Sequence, residues 1–274
     1  MGIAVAAFYI KIDLATAALV VLGIFFAHIS VNVLDDYVDF RKGIDAETAK
    51  TKFSGGSSML VDGTLKPDMV LLIGLLAFAV GAVIGIYIIV SNPLAIAFVA
   101  IGGISILLYA VLLVRVPFLA EPLVAIDFMA VVLGSFVVIM GSFAHIYAAL
   151  IVAFPAGSMV GLALLMNEVP DRKVDQRHGR RSGAVMLKSK SSIAYYYFIW
   201  EALCYAVVML GIIYRIVPYT EIIILAISPL IVVCFMAVRR YSTPKRFEKY
   251  MGFNALHSLL LTFLLFIGYI IVML

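Results

Sequence analysis

Two groups of acidic residues occur at helical spacing, each at the end of a long apolar run. The first acidic motif comprises Asn32, Asp35, Asp36 and Asp39, and the second comprises Glu168, Asp171 and Asp175. On a helix the members of each motif share one face. Neighbouring carboxylates repel one another, and an isolated acid at mid-depth in a membrane span costs about 2.5 to 3.5 kcal/mol. We therefore expect cations at both motifs, and Mg²⁺, which takes oxygen ligands, fits them.

Paired carboxylate motifs that hold Mg²⁺ are suited to binding a diphosphate, with lysines and arginines neutralising its remaining oxygens. A nucleotide is disfavoured, because the chain lacks a glycine-rich phosphate loop in an α/β pattern. An isoprenyl diphosphate fits better, since its tail needs an apolar tunnel. Metal neutralisation makes diphosphate a good leaving group, and the resulting allylic cation can be captured by a nucleophilic acceptor. For each motif alone, a solvated helix end with ordinary surface charges is the alternative interpretation.

The composition places these motifs in a polytopic membrane protein. Of 274 residues, 65% are hydrophobic and 13% are charged, and the mean hydropathy is +1.15. These values exclude an ordinary soluble domain. The net charge of +4 comes from basic residues in short loops, as membrane topology requires, so no nucleic-acid partner is predicted.

The apolar runs predict an all-α bundle of about nine helices around a central cavity, forming a single domain over residues 1–274. A span needs about 20 helical residues, so residues 1–10 predict only the tail of a first span. Eight full-length spans are predicted at 14–40, 69–90, 93–114, 121–142, 146–168, 194–214, 218–238 and 253–274. The bundle would consist of two four-helix halves and a last helix, with cap loops at about 41–68 and 169–193.

The distribution of lysine and arginine predicts the orientation. Eighteen of the 20 basic residues lie in alternate loops, at 41–68, 115–120, 169–193 and 239–252. By the positive-inside rule these loops are cytoplasmic. The acidic motifs end predicted spans two and six, so both would meet the cytoplasmic interface of the cell membrane. This arrangement favours a parallel internal repeat.

The two motifs together resemble those of the UbiA superfamily of intramembrane prenyltransferases. The family's second motif, DxxxD, matches Asp171 and Asp175. In its first motif, NxxxDxxxD, Asp35 stands at the asparagine position and Asp39 at the next aspartate. The segment from Asp39 to Asp45 resembles the DxxKGxD variant of the branch that prenylates naphthoquinone precursors. Residues 53–57, Phe-Ser-Gly-Gly-Ser, resemble that branch's following loop, which we expect to close over the diphosphate.

The resemblance implies Mg²⁺-dependent transfer of a polyprenyl group, for example from geranyl or geranylgeranyl diphosphate, to a lipophilic aromatic acceptor. It makes Asp35, Asp39, Asp171 and Asp175 the expected catalytic residues. The implied metal ligands are Asp35, Asp39 and Asp45 for one ion and Asp171 and Asp175 for another, with Asp36 and Glu168 beside them. The residues expected to bind the diphosphate are Lys42, Lys52, Arg177 and Arg181.

Asn32 and Asp127 complete the predicted substrate-binding set, each with an alternative. Asn32 either orients a carboxylate of its own motif or bridges two helices. Asp127, an acid within an apolar run, either lines the acceptor cavity and takes up a proton, or hydrogen-bonds a neighbouring helix.

Two other functions compete with prenylation of a 1,4-dihydroxy-2-naphthoate. The first is the same chemistry on 4-hydroxybenzoate, a chlorin, haem or geranylgeranylglyceryl phosphate. The second is secondary transport, which also uses helix bundles with internal repeats and membrane acids. A transporter usually places its site near the midplane, whereas these motifs lie at one interface.

Overall fold

The computed structural model describes residues 1–53, 56–109 and 112–274, apart from the side chain of Leu113, and all its regular elements are helical. The α-helices are α1 (Gly2–Ala7), α2 (Leu14–Arg41), α3 (Ile44–Glu47), α4 (Pro67–Ser91), α5 (Ile96–Leu108), α6 (Ala120–Met140), α7 (Ile146–Arg177), α8 (Gly183–Met186), α9 (Lys190–Ile213), α10 (Pro229–Arg239) and α11 (Pro244–Met273). Short 3₁₀ segments occupy Pro93–Ala95, Leu113–Arg115 and Tyr219–Ile227. The expected all-α fold is confirmed.

Seven helical segments in the described part of the chain are long and apolar enough to cross a membrane: α2, α4, α6, α7, α9, the continuous stretch Tyr219–Arg239, and α11. Large apolar side chains lie exposed along them, including Leu14, Val90 and Leu259, each more than two-thirds exposed. In water such surfaces would be unfavourable, whereas lipid solvates them. The chain is therefore a multi-pass integral membrane protein.

The helices differ from the predicted full-length spans at residues 93–114. The predicted span 93–114 contains a helix of only 13 residues, α5, which ends at Leu108. Further along, the carbonyl oxygen of Val114 accepts a hydrogen bond from the Arg181 amide. The predicted span 218–238 is matched by the continuous helical stretch Tyr219–Arg239, which changes from 3₁₀ to α-helix at Pro229. At the other end of the chain, α1 has six residues.

Helix α7 is the centre of the bundle and carries the second acidic motif. It packs against α6, α9 and α11, while α2, which carries the first motif, packs against α4. Much of the buried core surrounds α7, including Phe136, Leu162 and Tyr197. The predicted cap loop 169–193 begins later than expected, because α7 continues as a helix to Arg177.

Two glycines let α7 approach α6 at backbone contact. A Cβ atom at Gly157 would lie 2.3 Å from the carbonyl oxygen of Ala125, and one at Gly161 would lie 2.5 Å from that of Glu121. Both distances are far below van der Waals contact, so a side chain at either position would push the helices apart. This small-xxx-small pair, which is typical of membrane helices, fixes α7 against the start of α6.

Candidate active site

The first acidic motif lies on the last three turns of α2, and its members differ in their surroundings. Asp39 is buried and contacts Arg180. One oxygen of Asp35, Oδ1, is buried without a hydrogen-bond partner among the described residues. Asp36 lies close enough to Asp35 to influence its charge. Asn32 donates from Nδ2 to the carbonyl oxygen of His28 at 2.7 Å, within its own helix. The motif therefore presents carboxylate oxygens and needs a positive partner.

Asp45 follows the first motif because the chain reverses at Gly43. Gly43 has φ +74, a left-handed conformation that favours glycine, and it starts the short helix α3. Asp45 is buried there, 7% exposed, and burial raises its pKa to about 6, although Lys50 acts in the opposite direction. Gly56 packs against it so closely that a Cβ at position 56 would lie 2.6 Å from Asp45 Oδ1. The resemblance predicted this aspartate as a metal ligand, and the structure places it near Asp36 and Asp39.

The second acidic motif divides between two environments. Asp175, only 3% exposed, faces the first motif through Arg180. Glu168 turns instead toward the start of α6, where it lies beside Glu121. Asp171 lies within electrostatic range of Tyr241.

Arg180 joins the two acidic motifs. Its Nη2 donates to both carboxylate oxygens of Asp39, at 2.5 Å to Oδ1, and its Nε lies 3.7 Å from Asp175 Oδ1. Burial alone would lower the pKa of this guanidinium, but Asp39, Asp175 and Asp35 outweigh it and raise the pKa. The arginine is therefore held as a cation between carboxylates that come from α2 and α7.

Lys42 lies at the edge of the same site. Burial lowers the pKa of its ammonium group, as do Arg115 and Arg180, against the raising effect of Asp39. Lys42 thus belongs to a group of cations around Asp39, as expected for a diphosphate-binding residue.

The other predicted substrate-binding residues lie at varying distances from this centre. Arg177 pairs with Glu47, Nη2 to Oε2, at 2.9 Å on the surface, and Lys52 and Arg181 are exposed. Asp127 accepts a hydrogen bond from Ser105 Oγ at 2.7 Å, which is the contact expected of its structural alternative. The predicted closing loop includes Ser54 and Gly55, which lie outside the described residues.

The donor set fits Mg²⁺ in its chemistry. Asp35, Asp39 and Asp175 offer hard carboxylate oxygens, and the partnerless Oδ1 of Asp35 is an oxygen that a cation would satisfy. Within residues 1–53, 56–109 and 112–274, however, no three acidic, histidine or cysteine side chains stand close enough to form a complete metal cage. Mg²⁺ commonly relies on one or two carboxylates and on substrate phosphates for its remaining ligands, so this arrangement suits metal that arrives with a diphosphate.

Sequence reasoning missed two residues of this site, Arg180 and Glu121. Arg180 occurs among several loop cations, and its spacing of five from Asp175 does not set it apart from Arg177 or Arg181. Glu121 begins a predicted span, where a first-turn acid is ordinary. In the structure Glu121 is fully buried, and its Oε1 accepts a hydrogen bond from the Gly183 amide at 2.7 Å.

Comparison with known proteins identifies the family of the chain. Residues 1–272 match the UbiA prenyltransferase family. Over 197 residues the chain is 25% identical to a 1,4-dihydroxy-2-naphthoate octaprenyltransferase of Bacillus subtilis (strain 168), a match that covers 70% of this chain and 61% of that protein. No solved structure matches the chain significantly. The family resemblance predicted from the paired acidic motifs is confirmed.

Proposed function

Since the chain belongs to the UbiA prenyltransferase family, we propose that it transfers a polyprenyl group from an isoprenyl diphosphate to an aromatic acceptor of the 1,4-dihydroxy-2-naphthoate type. The observation that carries this proposal is the meeting of both acidic motifs at Arg180, which joins Asp39 to Asp175. Carboxylates and fixed cations converging at one end of an apolar bundle suit a substrate with a diphosphate head and a hydrocarbon tail.

The acidic residues would hold Mg²⁺ in two groups, as proposed from the sequence: Asp35, Asp39 and Asp45 on one side and Asp171 and Asp175 on the other. When bound, the metal would neutralise the diphosphate and make it a better leaving group. Asp36 and Glu168 would act less directly. Glu168 lies beside Glu121, which favours a role next to the metal ligands rather than as one of them.

The cations of the site would bind the diphosphate oxygens that remain. Arg180 offers a planar guanidinium suited to bidentate contact with phosphate, and Lys42 lies beside it. The other residues proposed to bind the diphosphate, around the edge of the site, are Arg177, Arg181 and Lys52. Because these groups are positioned before the substrate arrives, they would stabilise the negative charge that develops as the carbon–oxygen bond breaks.

The proposed acceptor follows the named relative, which prenylates 1,4-dihydroxy-2-naphthoate. Asp127 is proposed to line the acceptor cavity, and Asn32 to orient a carboxylate of its own motif. The concentration of basic residues in the loops beside both motifs supports a site on the cytoplasmic side of the cell membrane. Other aromatic or lipid acceptors would use the same chemistry, so the acceptor is the part of the proposal that most needs a direct test.

The test is prenyl transfer by the purified protein, given radiolabelled geranylgeranyl diphosphate and a panel of acceptors, with Mg²⁺ or with EDTA. We expect a Mg²⁺-dependent product with 1,4-dihydroxy-2-naphthoate. A product formed only with another acceptor would keep the reaction and replace the proposed acceptor. Absence of both transfer and Mg²⁺-dependent diphosphate binding would contradict the proposed function.

A further inference from the structure

The segment that carries Arg180 is short and lies between two helices. Residues 178–182, here called the arginine segment, connect the end of α7 to Gly183, the first residue of α8. Gly179 adopts φ +79 within it, so the chain turns sharply just before Arg180. Arg180 can reach both acidic motifs only if this turn is held in one place, because a shift of about 1 Å is enough to disrupt a charged contact of this kind.

Backbone hydrogen bonds attach the arginine segment to the chain between α5 and α6. The amide of Arg181 donates to the carbonyl oxygen of Val114 at 2.9 Å, and the amide of Phe118 donates to the carbonyl oxygen of Arg181 at 2.9 Å. The amide of Arg180 itself donates back to the carbonyl oxygen of Asp175, also at 2.9 Å. These bonds fix the position of the segment relative to residues 114–118 and to the end of α7, and all of them are between backbone groups.

Glu121 attaches the residue that follows the segment, Gly183, to α6 through its side chain. Its Oε1 accepts from the Gly183 amide at 2.7 Å, and the residue is 0% exposed. The glutamate is itself immobilised, because its carbonyl oxygen lies against Gly161 of α7 in the close helix contact described above. Position 183 is also constrained, since a Cβ there would lie 2.7 Å from Glu121 Oε1.

We propose that Glu121 is a positioning residue, whose carboxyl oxygen holds the Gly183 amide and so keeps Arg180 between Asp39 and Asp175. This inference rests on the proposed function, because the placement of Arg180 affects turnover only if this site binds the diphosphate. Glu121 touches no reacting group and acts through the arginine segment. It transmits the rigid packing of α6 on α7 to a connection that is otherwise held by backbone bonds and by the side chains of His178, which contacts Glu47, and of Arg180 itself.

The first test measures the position of the segment without any activity. Limited trypsin digestion of the purified protein reports how readily the backbone after Arg180 and Arg181 opens. We expect Glu121→Leu, which removes the acceptor, to raise cleavage there about tenfold, the effect of one lost buried hydrogen bond. Glu121→Gln keeps an acceptor oxygen and should match the wild type. Cleavage after Lys245, an exposed site in the first turn of α11, serves as the internal reference.

The second test measures transfer from geranylgeranyl diphosphate with Mg²⁺. In Glu121→Leu the KM for the diphosphate should rise about tenfold while kcat changes less, because the arginine contact is weakened rather than removed. Glu121→Gln should restore the wild-type KM. Gly183→Ala, which drives a Cβ into the same carboxyl oxygen, should reproduce both effects and serves if Glu121→Leu does not fold.

The positioning role of Glu121 and the proposed function would be contradicted by different results. Unchanged cleavage after Arg180 and Arg181 in Glu121→Leu and Gly183→Ala, or a Glu121→Gln variant as defective as Glu121→Leu, would disprove the positioning role. Increased cleavage with an unchanged KM would also disprove it. Failure of the proposed function would instead appear as absence of transfer in the wild type, and the digestion would still report whether Glu121 holds the segment.

Discussion

Arg180 and Asp39 are 141 positions apart in the chain, yet the guanidinium of one lies within hydrogen-bond distance of both carboxylate oxygens of the other. The contact joins α2 to the connection that follows α7, so it closes the gap between the two acidic motifs. An ion pair in such a partly buried place is stronger than a surface pair, because water competes less with it. Its disruption is therefore a sensitive test of the site.

Replacing Arg180 by alanine should impair diphosphate binding. The variant leaves Asp39 and Asp175 without their shared cation and takes a guanidinium away from the substrate. We expect the KM for geranylgeranyl diphosphate to rise at least about tenfold, the effect of a charged hydrogen bond of about 1.5–3 kcal/mol. Arg240→Ala is the matched control, because this arginine is exposed after the end of α10 and has no proposed role in the site. Equal effects of the two substitutions would contradict a specific role for Arg180.

Replacing Asp39 or Asp171 should abolish transfer and leave a folded protein. Asp39→Asn and Asp171→Asn remove a charge but keep the size of the side chain, so a metal-binding role predicts a loss of at least about 100-fold in kcat/KM, or about 2.7 kcal/mol. The measurement is transfer at saturating Mg²⁺, with detergent-solubilised yield and melting temperature as checks on folding. Asp62→Asn, at an exposed acid outside the motifs, should be neutral. Normal turnover in either motif variant would disprove the metal assignment.

Acidification should weaken the binding of Mg²⁺ by Asp45. The folded-state pKa of this carboxyl is raised by burial to about 6, so below that pH it is mostly protonated and is a poor metal ligand. The Mg²⁺ concentration for half-maximal transfer should therefore rise as the pH falls from about 7.5 to about 5.5. Asp45→Asn should raise that concentration at neutral pH and make its dependence on pH shallower. An Asp45→Asn variant with the full wild-type pH dependence would show that other groups cause it.

A buried polar contact between α9 and α11 should contribute to stability rather than to catalysis. His257 Nδ1 lies 2.7 Å from Glu201 Oε1, and both side chains are fully buried. Tyr205 bonds the other ring nitrogen at 2.8 Å. Glu201→Leu leaves the histidine without this partner, so thermal unfolding in detergent should show a loss of about 1–3 kcal/mol. The double variant Glu201→Leu/His257→Phe should recover part of it. A single variant as stable as the wild type would contradict this expectation.

The helical placement of both acidic motifs could be predicted from the sequence, because spacing along one helix determines which side chains share its face. Asp35 and Asp39 do lie on one helix, and so do Asp171 and Asp175. The helical class also follows directly from the apolar runs. These features depend on residues close together in the chain, for which periodicity is sufficient information.

The arrangement between helices could not be predicted in the same way. Whether Arg177, Arg180 or Arg181 faces the acids depends on the turn at Gly179 and on how α2 and α7 pack, and no local pattern records either. The same holds for Glu121, whose partner amide is 62 positions away.

The arginine between the motifs has a consequence for the protein at rest. Two acidic helices that relied on dissolved metal to offset their repulsion would separate whenever the metal was removed. Here an internal counter-ion, Arg180, neutralises part of that repulsion, so we expect the bundle to stay assembled without metal. Chelation should then abolish activity without unfolding the protein, and the metal that arrives with each substrate would have to compete with a tethered cation for the same carboxylates.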